Sequence, residues 1–389
     1  MTLRNKAAIV GIGESELGKV PHLSGLGLNA QAAKRAIDDA GLKPSDIDGL
    51  LTAYSMSEPY FMLGTVLCEY LGLRPRYASS LVTGGATPAV MLSHAAAAVA
   101  TGLADVVLVC AGENRATGQS RDDAVAALAL AVGHPYFEFP FGPSIPAQYA
   151  MIARRYMHEF GTTREQLAEV AVTTRHHASL HPNSHMKKEI TRADVVNAKP
   201  IADPFTILDC CLISDGAGAF IVTSPERARS LRKKPVYLLG VGECHTHEHI
   251  ICAPSLTEFG ATESGRQAYT MAGLGPEDID VAELYDCFTI VPMIGLEELG
   301  FAKKGEGGHH WTEGHARVGG RLPINTHGGM LSHAHAGAVG GLLALVEAVA
   351  QLRGECGTRQ VPGAEVAIVH NEGGIMSSHS TAILANAPR

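Results

Sequence analysis

No basic excess marks this chain: 31 Lys and Arg stand against 39 Asp and Glu, a formal charge of −8, which excludes a nucleic-acid surface. No apolar run reaches a bilayer's span before Gly, His or a charge breaks it, so no membrane helix is expected. The opening MTLRNKAAIVGIG enters a strand at once and lacks a signal-peptide layout. Eight cysteines show neither disulfide nor metal spacing; they read as reduced thiols of a cytoplasmic enzyme, and of the neighbours Cys210 and Cys211 at least one is expected in core. Aromatic residues are scarce, 5% with a single Trp, whereas Gly numbers 43. Small residues let helices press closely on helices and sheets, and 389 residues give ample core for two domains.

The chain repeats itself. AGLKPSDID from Ala40 returns as AGLGPEDID from Ala272. Upstream stand AAIVGIGES from Ala7 and VYLLGVGEC from Val236; downstream, GLLTAYS from Gly49 and VAELYDCF from Val281. Paired glycines followed by a small-residue helix occur at Thr83 and at His327, and the strands ADVVLVC from Ala104 and AEVAIVH from Ala364 follow. Each half reads strand, helix, strand, helix, strand, and the period is too long for a solenoid. The Gly-x-Gly pairs lack the third glycine of a dinucleotide fingerprint, where Glu16 and His245 stand, and read as tight turns leaving strands.

Between the halves lies a different segment, residues 113–200, richer in His, Arg, Met and Pro. It carries two amphipathic helices, SIPAQYAMIARRYMHEFG and TREQLAEVAVTTRHHASL, the second opened by a cap from Thr162 to Glu165. Long ordered insertions in α/β folds line or cover active sites. The organisation is therefore 1–112 with 201–228 as one half, 113–200 as an inserted helical domain, and 229–389 as the other half. The run HTHEH from His245 offers alternate histidines on one strand face, but no further ligand set is evident, so no metal is expected.

This arrangement resembles the thiolase superfamily over nearly the whole chain. ISDGAGAFIV from Ile213 and HHASLHPNS from His176 resemble its first-half and loop-domain stretches. LYDCFT from Leu284 resembles the HDCF motif of sterol-carrier-protein-type thiolases. NTHGGMLSHAHAGAVGG from Asn325 resembles their Gly-His-Pro helix start, and VHNEGG from Val369 their last turn. The resemblance implies an α/β duplicated thiolase fold of five layers, α-β-α-β-α, with two mixed sheets around a pair of central helices. It also implies a homodimer formed through a strand near Ala104 to Cys110. The helices from Pro88 and from about Ala338 suit the centre, being nearly all small or apolar.

Thiolases attack a thioester with a Cys at a helix N-terminus, where the dipole lowers the thiol pKa. By resemblance that slot falls on Gly85 of VTGGATPAV, which has no side chain, so no acyl-enzyme forms there. Cys110 and Thr87 are poor substitutes: a strand Cys is usually packed, and a hydroxyl needs a strong neighbouring base. Other parts match. His335 holds the Gly-His-Pro slot without its Pro, as an oxyanion donor or else a solvent-facing imidazole. Cys287 matches the acid–base cysteine of YDCF, or is a buried apolar thiol. Tyr285 replaces the family's His, as a proton-transfer group or a packed aromatic. Asn371 would donate a hydrogen bond to substrate, and Gly85 and Gly374 would let backbone approach it.

An oxyanion hole with proton donors but no nucleophile suits retro-aldol cleavage of a β-hydroxyacyl-CoA. The resemblance extends to aldolases that shorten steroid side chains, which carry Tyr in YDxF and work with a small partner bearing an OB-fold and a zinc ribbon. Coenzyme A would enter as part of the substrate, with no covalently bound cofactor. Two other readings stay open: an acyltransferase of acetyl-CoA acetyltransferase type with an unusual nucleophile, and a non-catalytic subunit that binds acyl-CoA. Arg175, His176 and His177 would reach a CoA phosphate or form a solvated helix face.

Overall fold

The computed structural model describes residues 2–142 and 144–389. Its strands in chain order are β1 (Ala8–Glu14), β2 (Gly49–Ala53), β3 (Tyr77–Leu81), β4 (Val106–Asn114), β5 (Pro200–Ala202), β6 (Phe205–Thr206), β7 (Asp215–Thr223), β8 (Val236–His245), β9 (Val281–Leu284), β10 (Val366–Gly373) and β11 (Ser378–Ala385). β5 and β6 form a small hairpin of their own; the other nine strands run in the order β3-β2-β4-β7-β1-β8-β11-β10-β9. β2 is parallel to β3 and β4, and β9 to β10, while the remaining pairs are antiparallel. The two expected sheets are thus one hydrogen-bonded whole, joined where Ala8 faces Tyr237 and Ile9 faces Val236. The second half lacks a full counterpart of β3; its remnant is a single parallel bridge between Ala282 and Ile324.

The sequence repeat has a physical meaning in both copies. Helices Gly25–Ala40 and Ala261–Ala272 each end on a left-handed glycine, Gly41 at φ 71° and Gly273 at φ 65°. A one-turn 3-10 helix follows each, Pro44–Asp46 and Pro276–Asp278, and delivers the chain into β2 and β9. The Gly-x-Gly pairs are not turns, as expected, but lie inside β1 and β8. There the outer helix presses on the strand backbone. A Cβ on Gly11 would stand 2.2 Å from the Ala36 carbonyl oxygen, and one on Gly240 would stand 2.1 Å from that of Ala268. Gly240→Ala should therefore push the helix off its strand and destabilise the fold by about 1–3 kcal/mol, as overpacked cores do. Denaturant unfolding reads this, and a wild-type midpoint would show that the helix retreats freely.

The central pair of helices is Thr87–Ala100 and Val339–Arg353. They pack on one another and on strands of both halves, with the two outer helices beyond, which gives the five layers. The second central helix is buried at every residue from Val339 to Leu352. The first is not buried all round: His94 and Ala100 reach the surface. Homodimerisation through the Ala104–Cys110 stretch is corrected by the ladders. β4 is bonded to β2 on one edge and β7 on the other, so it has no edge to offer, whereas β3 has a free one.

Between β4 and β7 run helices Arg121–Val132, Ile145–Phe160, Arg164–Leu180 and Arg192–Val196. The capping box of the third lies one residue later than expected: Thr163 accepts from the amide of Gln166, whose side chain returns the bond. Among the described residues no helix is long and apolar enough to cross a membrane.

Candidate active site

A cavity of about 540 Å³ opens where the two halves and the inserted helices meet. Its outer wall is apolar and comes from the stretch between β4 and β7: Val125, Leu128, Val132, Ile145, Ile201, Ile207 and Leu208. Its inner end carries Gly85, Tyr285, Cys287, His335 and Gly374, with Glu372, Cys210 and Cys211. Five of the six residues expected there are therefore brought together.

Gly85 and Tyr285 fit one another. A Cβ on Gly85 would stand 2.1 Å from the Tyr285 hydroxyl and 2.3 Å from the Glu372 carbonyl oxygen. The tyrosine thus fills the space into which a residue-85 side chain would project. The Tyr285 hydroxyl lies 3.5 Å from His335 Nε2, with the rings edge to face. Burial, then the nearby Cys287 and Glu372, push the Tyr285 pKa well above its ordinary value. The phenol is therefore a proton donor at neutral pH. Burial pulls His335 down to about 3, so its ring is neutral and has one N–H to give. Its Nδ1 meets Cys211 Sγ at 3.0 Å, and burial raises that thiol to about 12.

The turn after β9 places these groups by alternation. Tyr285 and Cys287 reach the cavity, while Asp286 between them points away and accepts from the Met330 amide at 2.7 Å. That bond holds the turn Gly329–His333, from which the chain runs to His335.

Asn371 is the residue the structure removes from the expected set. On β10 it shares a face with Ala367 and Val369, and it abuts the second central helix, donating to the Gly341 carbonyl at 3.3 Å. Its neighbour Glu372 takes the cavity side instead. Oε1 of Glu372 accepts from the Tyr149 hydroxyl at 2.5 Å and from Cys287 Sγ at 3.3 Å, and Oε2 accepts from the Met376 amide at 3.1 Å. Burial raises this carboxyl to about 7 against the lowering effect of those three bonds. Burial also drives Cys287 well above its ordinary value, with Glu372 adding to the effect. Counting alternate residues along VHNEGG separates Glu372 from Asn371; nothing in the sequence marks Tyr149 or Cys211.

The other candidates are accounted for. Cys110 is fully buried, faces the outer helix and contacts Asn29 Oδ1 at 3.0 Å. The Thr87 hydroxyl donates to the Gly84 carbonyl at 2.6 Å inside its own turn. His177 is buried against the Asn325 carbonyl, His176 pairs with Glu189, and Arg175, though on the cavity wall, is tied to Ser332 and the Lys188 carbonyl. His245, His247 and His249 do not converge: they meet Ser378, the Ile375 carbonyl and the Val132 carbonyl. Both Cys210 and Cys211 are half-buried on the cavity wall and pack against the core behind it.

Fold brings together one set that the sequence does not show, Glu14, His181 and His333, with ligand atoms within 4.8 Å of one another. The Asn183 amide donates to His181 Nδ1 at 3.1 Å. That bond leaves the ring proton on Nε2, the nitrogen facing Glu14, so the trio reads as a hydrogen-bonded network rather than a metal site.

Comparison with known proteins agrees with this architecture. The family model described as "Thiolase, N-terminal domain" matches residues 6–226, and "Thiolase C-terminal domain-like" matches 242–386. The chain is 39% identical over 389 residues to the 17-hydroxy-3-oxo-4-pregnene-20-carboxyl-CoA lyase of Mycobacterium tuberculosis, covering 97% of this chain and 98% of that one. It is 35% identical over 372 residues to an acetyl-CoA acetyltransferase of Methanothermobacter thermautotrophicus, covering 94% and 96%. Among solved structures, the Ltp2-ChsH2(DUF35) aldolase superposes with a TM-score of 0.87 at 36% identity, covering 98% of each chain.

Proposed function

The chain belongs to the thiolase superfamily, and from that premise we propose that it cleaves a carbon–carbon bond of a β-hydroxyacyl-CoA by retro-aldol chemistry. One observation carries the reading: the Tyr285 phenol occupies the space of the missing nucleophile at Gly85. With no covalent step open at that position, the inner end of the cavity offers donors instead. With the Cys211 thiol as hydrogen-bond donor to His335 Nδ1, the neutral ring carries its proton on Nε2, beside the Tyr285 hydroxyl. Together they hold the thioester oxygen as the enolate develops. The apolar outer wall suits a bulky acyl group, as in the pregnene-carboxyl-CoA named for the mycobacterial relative.

The acyltransferase reading draws on the 35% identical acetyltransferase. It needs a thiolate, yet burial raises both Cys211 and Cys287, and the Arg115 charge near Cys211 only partly offsets this. The aldolase neighbour is a complex with a DUF35 protein, so a small partner of that kind belongs to the proposal, as does a homodimer through the free edge of β3. Co-purification and sedimentation velocity read these; a monomer at micromolar concentration would count against the dimer.

The deciding assay supplies a β-hydroxyacyl-CoA to the chain with its co-purified partner and measures release of ketone or aldehyde with the shortened acyl-CoA. His335→Ala should lower turnover by about a hundred- to a thousand-fold through the lost oxyanion donor. A labelled acyl group trapped on a cavity thiol would replace this reading with acyl transfer.

A further inference from the structure

Cleavage needs a base for the β-hydroxyl proton, and neither Tyr285 nor His335 is one. The phenol is held protonated, and the proposed oxyanion role of the neutral imidazole uses its Nε2–H as a donor. Glu372 is the carboxylate at the inner end of the cavity. Resting on the aldolase reading, we infer that Glu372 is the ionising acid–base group of this site, exchanging one proton with substrate through the Cys287 thiol that it contacts.

The geometry is that of a relay. Cys287 Sγ lines the cavity and lies 3.3 Å from Glu372 Oε1. The Tyr149 hydroxyl has one proton and two acceptors, Glu372 Oε1 at 2.5 Å and the Gly374 carbonyl at 3.0 Å. When Glu372 is ionised, Tyr149 donates to it; when Glu372 takes up a proton, Tyr149 turns to Gly374. The site thus has a hydrogen-bond arrangement ready for each protonation state.

The groups around Glu372 fix where it titrates. Tyr149 comes from the helix Ile145–Phe160, Tyr285 and Cys287 from the turn after β9, Cys211 from the loop before β7, and the Met376 amide from the turn after β10. All are neutral groups, of which Tyr149, Cys287 and the Met376 amide donate to the carboxylate, and among the described residues no Lys, Arg or His is ion-paired with Glu372. Burial without a cation places its carboxyl at about 7, where both forms are populated at neutral pH.

The step balances. The β-hydroxyl proton passes to Cys287 Sγ as the thiol proton passes to Glu372. The Cα–Cβ bond breaks, the β-carbon becomes a carbonyl, and the bonding pair enters the thioester as its enolate. Glu372 then returns a proton through Cys287 to Cα. Nothing is oxidised or reduced, and carboxylate and thiol are regenerated.

The test compares Glu372→Gln with Glu372→Asp. The glutamine variant keeps the shape but cannot ionise. It should cut cleavage about a hundred- to ten-thousand-fold and erase the rise of kcat/KM with pH through about 7. The aspartate variant should recover part of the rate together with the pH limb, which a merely structural role would not do. Infrared difference spectra of the substrate-free wild type across the neutral range should show a carboxyl band that vanishes in the glutamine variant. A Glu372→Gln variant with wild-type rate, or a Glu372 carboxyl ionised throughout that range, overturns the inference. If nothing is cleaved, exchange of an acyl-CoA α-hydrogen with deuterated water separates the two ideas. Exchange that depends on Glu372 keeps this assignment and discards the aldolase reading, while exchange indifferent to Glu372 discards the assignment.

Discussion

Tyr285→Phe is expected to lower carbon–carbon cleavage about a hundred- to ten-thousand-fold while leaving the protein as stable as before, within about 0.5 kcal/mol. The substitution keeps the ring that fills the space beside Gly85 and removes one oxygen. Among the described residues that oxygen has one hydrogen-bond contact, at a long 3.5 Å to His335 Nε2, so the resting protein loses little with it. In the transition state the same hydroxyl faces developing negative charge, where a fixed donor in a dry site matters most. The loss should fall on kcat and be uniform with pH, because the Tyr285 phenol stays protonated across the neutral range. This separates it from Glu372, whose removal changes the shape of the profile. Turnover indifferent to Tyr285→Phe would sink the assignment of Tyr285.

Putting the thiolase cysteine back should fail, and the reason is steric before it is chemical. Gly85→Cys sets a Cβ against the Tyr285 hydroxyl at 2.1 Å, its Cζ at 2.4 Å and the Glu372 carbonyl oxygen at 2.3 Å. Real Cβ atoms do not come so close, and the carbonyl belongs to backbone that also meets Thr83 and Gly84 across the turn. Tyr285 must leave its place, or the turn must move. Cleavage should therefore drop at least as far as in Tyr285→Phe, with an overpacking cost of about 1–3 kcal/mol. Gly85→Ala should behave the same way, which shows that volume and not the thiol is at fault. Intact-mass measurement after incubation with acyl-CoA should find residue 85 unacylated. Thiolytic turnover, or an acyl group on that cysteine, would refute the incompatibility of Tyr285 with a nucleophile at 85.

The fold was legible because duplication writes the same local instructions twice. Gly41 and Gly273 stop equivalent helices, and equivalent 3-10 turns start equivalent strands. Gly11 and Gly240 were legible as a pair but misread as turns: glycine also serves where a helix must touch a strand, and sequence does not distinguish the two uses. The edge strand β3 left no comparable mark, since YASSL alternates only weakly and its counterpart is reduced to one bridge. In the site, Tyr285, Cys287 and His335 were found because motif position carried them. Asn371 was expected because the motif names the asparagine, but the pleat turns it toward Gly341 and leaves the cavity side to Glu372. Tyr149 and Cys211 were invisible for a simpler reason: each lies in a separate chain segment from the groups it touches, and one helix or loop read alone gives no hint of the other.

The ladder that joins the halves also sets a timetable for synthesis. β1 leaves the ribosome well before its two neighbours, β7 and β8, which end at Thr223 and His245. At about 5–20 residues per second, the roughly 200 residues between them take on the order of 10–40 s. For that interval both edges of a strand reading AIVGIGE lie open. The nascent chain must shelter them with its outer helix Gly25–Ala40, or with a chaperone, until the second half arrives.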